Sequence, residues 1–250
     1  MLLVPGLAVA AFLLPVPASR VHASLHDVTE STHAEALEHY RAGLEELRAE
    51  SFREAATDFK AATRLDPFFV MAYYYLGQAR MSLHRYSEAV QAFLACREAH
   101  HELTSLRQLS QSVADAKRAD EVRTLRDLIW RSQGTGDATR AFTLERRLQR
   151  LQSDEHRGVT SMETPAAFSL ALGSAYFRSG HPADAEREYR EAIRVNSKLG
   201  EAHNNLAIIC FLTGRLDEAE KEMKAAERAG FAVNPRFKDD LKKAEKVARR

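Results

Sequence analysis

Ten histidines are the side chains of this 250-residue sequence that could most readily coordinate a metal ion. His100 and His101 are adjacent and are followed by Glu102, which gives three potential ligands in a row. Successive side chains of a helix point in different directions, so these three do not converge on one ion. We interpret them as polar residues near a helix end, where imidazolium groups interact favourably with the helix dipole. The sequence thus predicts no metal and no other cofactor.

Catalysis would need carboxylates, hydroxyls or thiols placed beside a base. The paired carboxylates Glu45-Glu46 and Asp239-Asp240 lie in stretches typical of solvated helix faces. The sequence has no phosphate-binding glycine-rich loop, no nucleophile elbow and no His-Glu-x-x-His helix. These observations favour a protein that is not an enzyme and has no small-molecule substrate.

The cysteines and the charge argue against a disulfide and against nucleic-acid binding. Cys96 and Cys210 are the only cysteines, and both stand where a small apolar side chain is expected, so we predict two buried, unpaired thiols. The formal net charge is +1, with opposite charges interspersed. The arginine-rich stretch 140–157 is interrupted by acidic residues, which indicates a solvated helix face. We therefore expect no nucleic-acid partner.

About half of the chain follows a pattern that recurs every 34 residues. Six pairs are related by this interval: Gly43 with Gly77, Ala55 with Ala89, Phe59 with Phe93, Leu172 with Leu206, Ala185 with Ala219, and Ala192 with Ala226. The period predicts a helix–turn–helix unit that buries its apolar face only by stacking on its neighbours. No sustained alternation of period two occurs, so we expect an almost wholly helical chain.

The pattern resembles that of the tetratricopeptide repeat (TPR) family, which it fits at 36–69, 70–103, 166–199 and 200–233. The resemblance implies an all-α fold, a solenoid of helix–turn–helix hairpins wound into a right-handed superhelix. It implies that Gly180 and Gly214 end the first helices of their hairpins in a left-handed conformation. It also implies that the small residue Gly77 faces Ala89 across its hairpin.

The 34-residue spacing breaks between the second and third repeats. Apolar residues from Leu103 to Ile129 predict a long amphipathic helix, followed by a turn at Gly134-Thr135-Gly136 and a helix over about 137–153. This segment is either a degenerate repeat stretched at its first helix or a helical hairpin between two pairs of repeats. Trp130, the single tryptophan, is interpreted as a structural wedge at the end of the long helix.

The N-terminus has the features of an export signal. Residues 2–16 are apolar and uncharged, and Val21-His22-Ala23 suit cleavage before Ser24. We expect a periplasmic or extracellular protein, with a retained anchor or an apolar tail as alternatives. The predicted division of the chain is a signal peptide at 1–23, an N-terminal extension at 24–35, two repeats at 36–103, an irregular helical segment at 104–163 with a linker near 155–164, two repeats at 164–233, and a capping helix at 234–250.

In TPR proteins the first helix of each hairpin lines a concave groove that holds a partner. Carried over to this sequence, the groove positions include Arg41, Met71, Tyr74, Tyr75, Gln78, Phe177, Arg178, Asn204, Asn205 and Ile208. The resemblance implies a scaffold or adaptor that binds a peptide or helix of a partner protein, with Asn204 and Asn205 pairing with its backbone. The alternative is a structural subunit of a cell-envelope or secretion assembly that contacts through its convex face and middle helices. Self-association would also cover the apolar groove.

Overall fold

A computed structural model describes residues 30–134, 138–153 and 164–248 of the chain. These residues form ten α-helices and contain no β-strand. The helices are α1 (Glu30–Arg48), α2 (Phe52–Leu65), α3 (Val70–Ser82), α4 (Tyr86–Gly134), α5 (Ala138–Ser153), α6 (Ala166–Arg178), α7 (Pro182–Val195), α8 (Gly200–Leu212), α9 (Leu216–Arg228) and α10 (Pro235–Ala248). None of these described helices is both long and apolar enough to cross a bilayer.

Four helical hairpins form the body of the solenoid: α1 with α2, α3 with α4, α6 with α7, and α8 with α9. In three of them a glycine of the first helix lies directly under an aromatic ring of the second. A Cβ added at Gly77 would come within 2.4 Å of the Phe93 ring, and one at Gly43 would come within 2.9 Å of the Phe59 ring. At the corresponding Gly173 an added Cβ would lie 2.7 Å from the Tyr189 ring and 3.3 Å from the backbone oxygen of Ala185, the counterpart of Ala89.

The turn inside each hairpin places one residue in the left-handed region. Gly180 and Gly214 have φ of 84° and 76°, which confirms the prediction for both glycines. Glu50 and His84 hold the corresponding places in the first two hairpins, with φ of 59° and 58°. The chain therefore builds the same turn in all four hairpins, with glycine at only two of them.

The second and third hairpins stack directly on each other, although 62 residues of sequence that fit no repeat separate Leu103 from Ala166. Ala89 and Phe93 of α4 share a core with Leu172 and Ala175 of α6. Arg97 Nη1 donates to Glu188 Oε1 of α7 at 2.8 Å, which adds an ion pair to the same interface. The four hairpins thus form one continuous stack.

The intervening sequence projects from this stack as a hairpin of its own. α4 is 49 residues long, begins within the second repeat and runs on without a break past residue 103 to Gly134. α5 packs on the distal part of α4, where Leu125, Ile129 and Ala141 are buried and Arg147 pairs with Glu121. From 107 to 117 every side chain of α4 is exposed. We name α5 and the part of α4 beyond residue 103 the projecting hairpin.

Two sequence-based interpretations of this region were wrong. Trp130 is 74% exposed and does not pack between other elements, because it lies on the side of α4 away from the buried Leu125 and Ile129. His100 and His101 do not lie near a helix end, since α4 runs on to Gly134. The predicted linker lies mainly within residues 154–163, and the predicted export signal lies within residues 1–29. Both ranges are outside the residues that the structure describes.

The last helix covers the end of the stack. Leu241 is 1% exposed within a core that also holds Val233 and Met223, and Phe237 packs edge-on against Phe211 at 5.6 Å between ring centroids. Val247, near the end of α10, is 72% exposed. A cap of this kind shields the apolar end of a solenoid from water.

Candidate partner-binding groove

A row of aromatic side chains runs along the first helices of the first three hairpins. Tyr40 of α1 lies 5.9 Å from Tyr75 of α3, measured between ring centroids. Tyr75 makes an edge contact with Tyr74 at 5.5 Å, and Tyr74 lies 5.5 Å from Phe168 of α6. His100 of α4 closes the row, edge-on to Phe168 at 5.8 Å. These contacts join three hairpins along one surface.

Tyr74 is a structural side chain as well as a groove residue. Its ring also packs on Phe93 at 5.8 Å, and its hydroxyl accepts a hydrogen bond from Gln78 Nε2 at 3.2 Å. Burial raises the pKa of Tyr74, and the Gln78 bond opposes that rise. Tyr75 is held similarly, stacked on Phe59 at 5.7 Å. Both tyrosines therefore form the floor of the groove and are not free anchors.

Three of the predicted groove residues are exposed. Arg41, Met71 and Arg178 are exposed, and Met71 is 37% accessible. Neither Arg41 nor Arg178 forms an ion pair within the part of the chain that the structure describes. Two guanidinium groups and a flexible thioether are thus exposed on α1, α3 and α6.

The fourth hairpin contributes amides. Asn204 Nδ2 donates to Asn205 Oδ1 at 3.3 Å, and Asn205 acts to lower the pKa of Tyr189. The Tyr189 hydroxyl donates to Ser174 Oγ at 3.3 Å. Burial raises the pKa of Tyr189, while the interactions with Ser174 and Asn205 oppose the rise. The two asparagines are half-buried, so part of each amide remains open to a peptide backbone.

Two further predicted groove residues are partly buried on α6 and α8. Phe177 packs at the edge of the core shared by the last two hairpins, and Ile208 is half-buried on α8. Sequence reasoning missed Phe168, whose ring extends the aromatic row to α6. It occupies a place in the repeat that the TPR pattern leaves variable, so the only available signal was its size.

Two histidines of the described chain lie within hydrogen-bonding distance of carboxylates on the second helix of their hairpin. His39 Nδ1 lies 2.6 Å from Asp58 Oδ1, and His203 Nδ1 lies 2.6 Å from Glu222 Oε2, at corresponding places of the first and fourth hairpins. Burial lowers the pKa of His100, with Arg107 and His101 adding to the effect. Among the described residues no cluster of His, Cys, Asp and Glu has the arrangement of a metal site.

Several solved structures resemble this chain. They include the thermophilic TPR protein TTC0263 of Thermus thermophilus, with 19% identity, coverage of 84% of this chain and 98% of that one, and a TM-score of 0.34. The type IV pilus biogenesis factor PilW shows 16% identity, 86% and 87% coverage, and a TM-score of 0.41. MamA from Desulfovibrio magneticus RS-1 shows 14% identity, 78% and 93% coverage, and a TM-score of 0.26. Comparison with curated protein sequences gives no match.

The sequence profile described as tetratricopeptide repeat matches residues 33–101 and 170–232, which together make up more than half of the chain. The two matched stretches contain the four stacked hairpins, and the gap between them contains the projecting hairpin. TPR domains mediate interactions between proteins. By its sequence profile and its stacked helical hairpins, this chain belongs to the tetratricopeptide repeat family.

Proposed function

We propose that this protein is a non-enzymatic adaptor that binds a peptide or helical segment of a partner protein in the groove formed by α1, α3, α6 and α8. The observation that carries the proposal is the aromatic row from Tyr40 to Phe168, bordered by Arg41 and Arg178. A preformed apolar floor gives affinity with little ordering of the protein, and a few polar groups fix the register of the ligand.

The polar groups suit a polypeptide ligand. Asn204 and Asn205 present amides that can both donate to and accept from a peptide backbone. Arg178, one turn of helix beyond Ser174, can pair with a carboxylate of the ligand. No base and nucleophile are placed together on this surface, so its chemistry is that of reversible binding.

We also propose that the protein is exported, because residues 2–16 are apolar and uncharged and small residues precede Ser24. Protein sequencing of the mature N-terminus from the native host tests it. A mature chain that begins at Ser24 supports export with cleavage, and a chain that begins at Met1 contradicts cleavage.

The groove is tested by cross-linked capture from the native host, followed by measurement of Kd for the captured partner. The test variant carries Met71→Ala, Arg178→Ala and Asn204→Ala, which change exposed or half-buried side chains and spare the structural Tyr74. The control variant carries Lys221→Ala and Arg228→Ala on the outer surface of α9. We expect the groove variant to lose the partner and the control to keep it. Equal capture by both variants and the wild type would reject the groove.

A second candidate function rests on the projecting hairpin. Leu109, Val113, Trp130 and Phe142 are each more than 60% exposed, which is a large amount of apolar surface on two adjacent helices. These residues suit a structural subunit of a larger envelope or secretion assembly that contacts through its middle helices. Changing Leu109 and Val113 to serine would then release the protein from the assembly while leaving peptide binding in the groove intact.

A further inference from the structure

We propose that the outer surface of α2 is a second docking site, which binds an acidic segment of a partner protein. The site is an open groove between α2, the end of α3 and the start of α4, and we name it the α2 groove. Its basic side chains are Arg53, Lys60, Arg64, Arg80 and Arg85, and its carboxylate is Glu88. It is separate from the aromatic row, which lies on the first helices of the hairpins.

The positive charge of the α2 groove is only partly neutralised. Arg85 Nη2 lies 2.5 Å from Glu88 Oε1, and Arg80 Nη1 donates to the backbone carbonyl of Glu88 at 3.0 Å. The carboxylate and the backbone carbonyl of Glu88 are therefore both engaged by arginines of the same groove. Arg53, Lys60 and Arg64 are exposed, and their side chains form no ion pair with any residue that the structure describes. The groove thus holds a row of three cations that lack a counter-charge.

The corresponding surfaces of the later hairpins differ in this respect. Lys60 corresponds to Arg190 of α7, which contacts Glu186 at 2.7 Å and Glu218 at 2.6 Å. It also corresponds to Lys224 of α9, which contacts Glu220 at 2.7 Å. The residues of α7 and α9 that correspond to Lys60 are thus paired with acids. The groove on α9 is lined by three acids and three bases, whereas the α2 groove is lined by five bases and one acid, so the excess of positive charge distinguishes the α2 groove.

The acids of α2 itself do not balance its cations, because they lie on another side of the helix. Asp58 Oδ1 lies 2.6 Å from His39 Nδ1 of α1. Glu54 acts, together with Asp58, to raise the pKa of Glu46 on α1, although burial is the larger cause of that rise. One side of α2 is therefore acidic and faces α1, and the other is basic and faces outward.

The spacing of the cations defines the shape of the acidic segment. Arg53, Lys60 and Arg64 are separated by seven and four residues on one helix, which places their Cα atoms roughly 10 Å and 6 Å apart along its axis. Carboxylates with the same spacing on a helix lying along α2 would meet all three. Ala56 and Ala61 form a small-residue floor that allows close approach. The groove has a volume of about 810 Å³, which can hold side chains of a polypeptide segment.

The test is a binding titration of the full chain with a fluorescent helical peptide whose glutamates are spaced four and seven residues apart. A peptide with glutamine at those positions is the uncharged control probe. The test variant is Lys60→Glu with Arg64→Glu. The matched control is Lys224→Glu with Arg228→Glu, because these residues hold the same places in the fourth hairpin. Thermal melting of both variants shows whether they fold, as expected for exposed positions.

We expect the acidic peptide to bind, the glutamine peptide not to bind, and Kd to rise by about tenfold or more in the Lys60/Arg64 variant. The control variant should change Kd by less than about twofold. Raising the salt concentration should weaken binding, because exposed charges are screened. Equal losses in the two variants, no binding of the acidic peptide, or stronger binding to phosphatidylserine vesicles than to the peptide would each overturn the proposal.

Discussion

Arg215, at the start of α9, donates two hydrogen bonds to Glu186 of α7, with Nη1 2.8 Å from Oε1 and Nη2 2.6 Å from Oε2. Arg190 contacts the same carboxylate at 2.7 Å and reaches Glu218 at 2.6 Å, so four charged side chains join the third hairpin to the fourth. Bidentate pairs with shared partners are stronger than isolated surface ion pairs. This network is a polar link between hairpins, beside the apolar core that they share.

The Arg215–Glu186 pair makes stability depend on pH. Arg215 lowers the pKa of Glu186, and the carboxylate therefore stabilises the fold above its unfolded pKa of about 4.3. That contribution is lost as the pH falls through the lowered pKa. Glu186→Gln should reduce the free energy of unfolding at pH 7 by about 0.5–1 kcal/mol, because the two side chains are 20% and 36% exposed.

Urea unfolding at pH 7 and at acidic pH measures this effect. The Glu186→Gln chain should lose less stability on acidification than the wild type does. Glu98→Gln, at an exposed position without a described ion pair, is the control and should follow the wild type. A wild-type-like acid dependence of Glu186→Gln would contradict the role of the pair.

Glycine under the aromatic ring is a second point where stability is sensitive. Gly77→Ala would place a Cβ 2.4 Å from Phe93 Cε1 and should destabilise the fold by about 1–3 kcal/mol through overpacking. Gly43→Ala, with 2.9 Å to the Phe59 ring, should cost less. Denaturant midpoints of the two variants measure the difference. If Gly43→Ala proved the more damaging substitution, ring contact would not be what selects glycine at these positions.

The left-handed turns allow a stabilising substitution. Glu50 is exposed with φ of 59°, at the place where the third and fourth hairpins have glycine. Glu50→Gly should raise the free energy of unfolding by a few tenths to about 1 kcal/mol, because it relieves left-handed strain. The reciprocal change Gly180→Ala should lower it by about 1 kcal/mol. Thermal unfolding of the two variants beside the wild type measures the direction of each change in stability. Destabilisation by both substitutions would contradict the explanation.

The two thiols should be unreactive in the native protein. Both cysteines are fully buried and free, as the sequence predicted. Burial raises the pKa of Cys96 to about 12 and that of Cys210 to about 11, so neither forms thiolate at neutral pH. We expect a thiol reagent to modify neither residue in the folded chain and both in denaturant. Rapid modification of the native protein would show that these regions open locally.

Much of the fold could be predicted from the sequence, because in a repeat the residue type at each position follows from its local packing or backbone conformation. The turns at Gly180 and Gly214 and the cores around Phe93 and Tyr189 recur at fixed positions. The length of α4 could not be predicted by the same means. The repeat pattern ends near residue 103, but no proline or glycine stops the helix between Tyr86 and Gly134, so it continues beyond the repeat.

The groove was predictable in outline only. The family pattern indicates which positions face inward, yet it does not say which of them contact one another. Tyr74 and Tyr75 are large enough to reach their neighbours, and their contacts with Phe168 and Phe59 hold them in the floor. Arg41 and Arg178 have no such neighbours and stay exposed. Exposure within the groove thus depends on the side chains of adjacent hairpins, which a single repeat does not show.

The unbroken course of α4 has a consequence for the distances that this molecule can set. A helix of 49 residues is about 74 Å long, whereas a compact globule of 250 residues has a radius of gyration of roughly 18 Å. One end of α4 is fixed in the core between two hairpins, and the other carries Trp130 into solvent. A protein held by the groove and another held at the tip would be kept several nanometres apart. If the proposed groove binds its partner, α4 sets the distance between that partner and whatever the tip contacts.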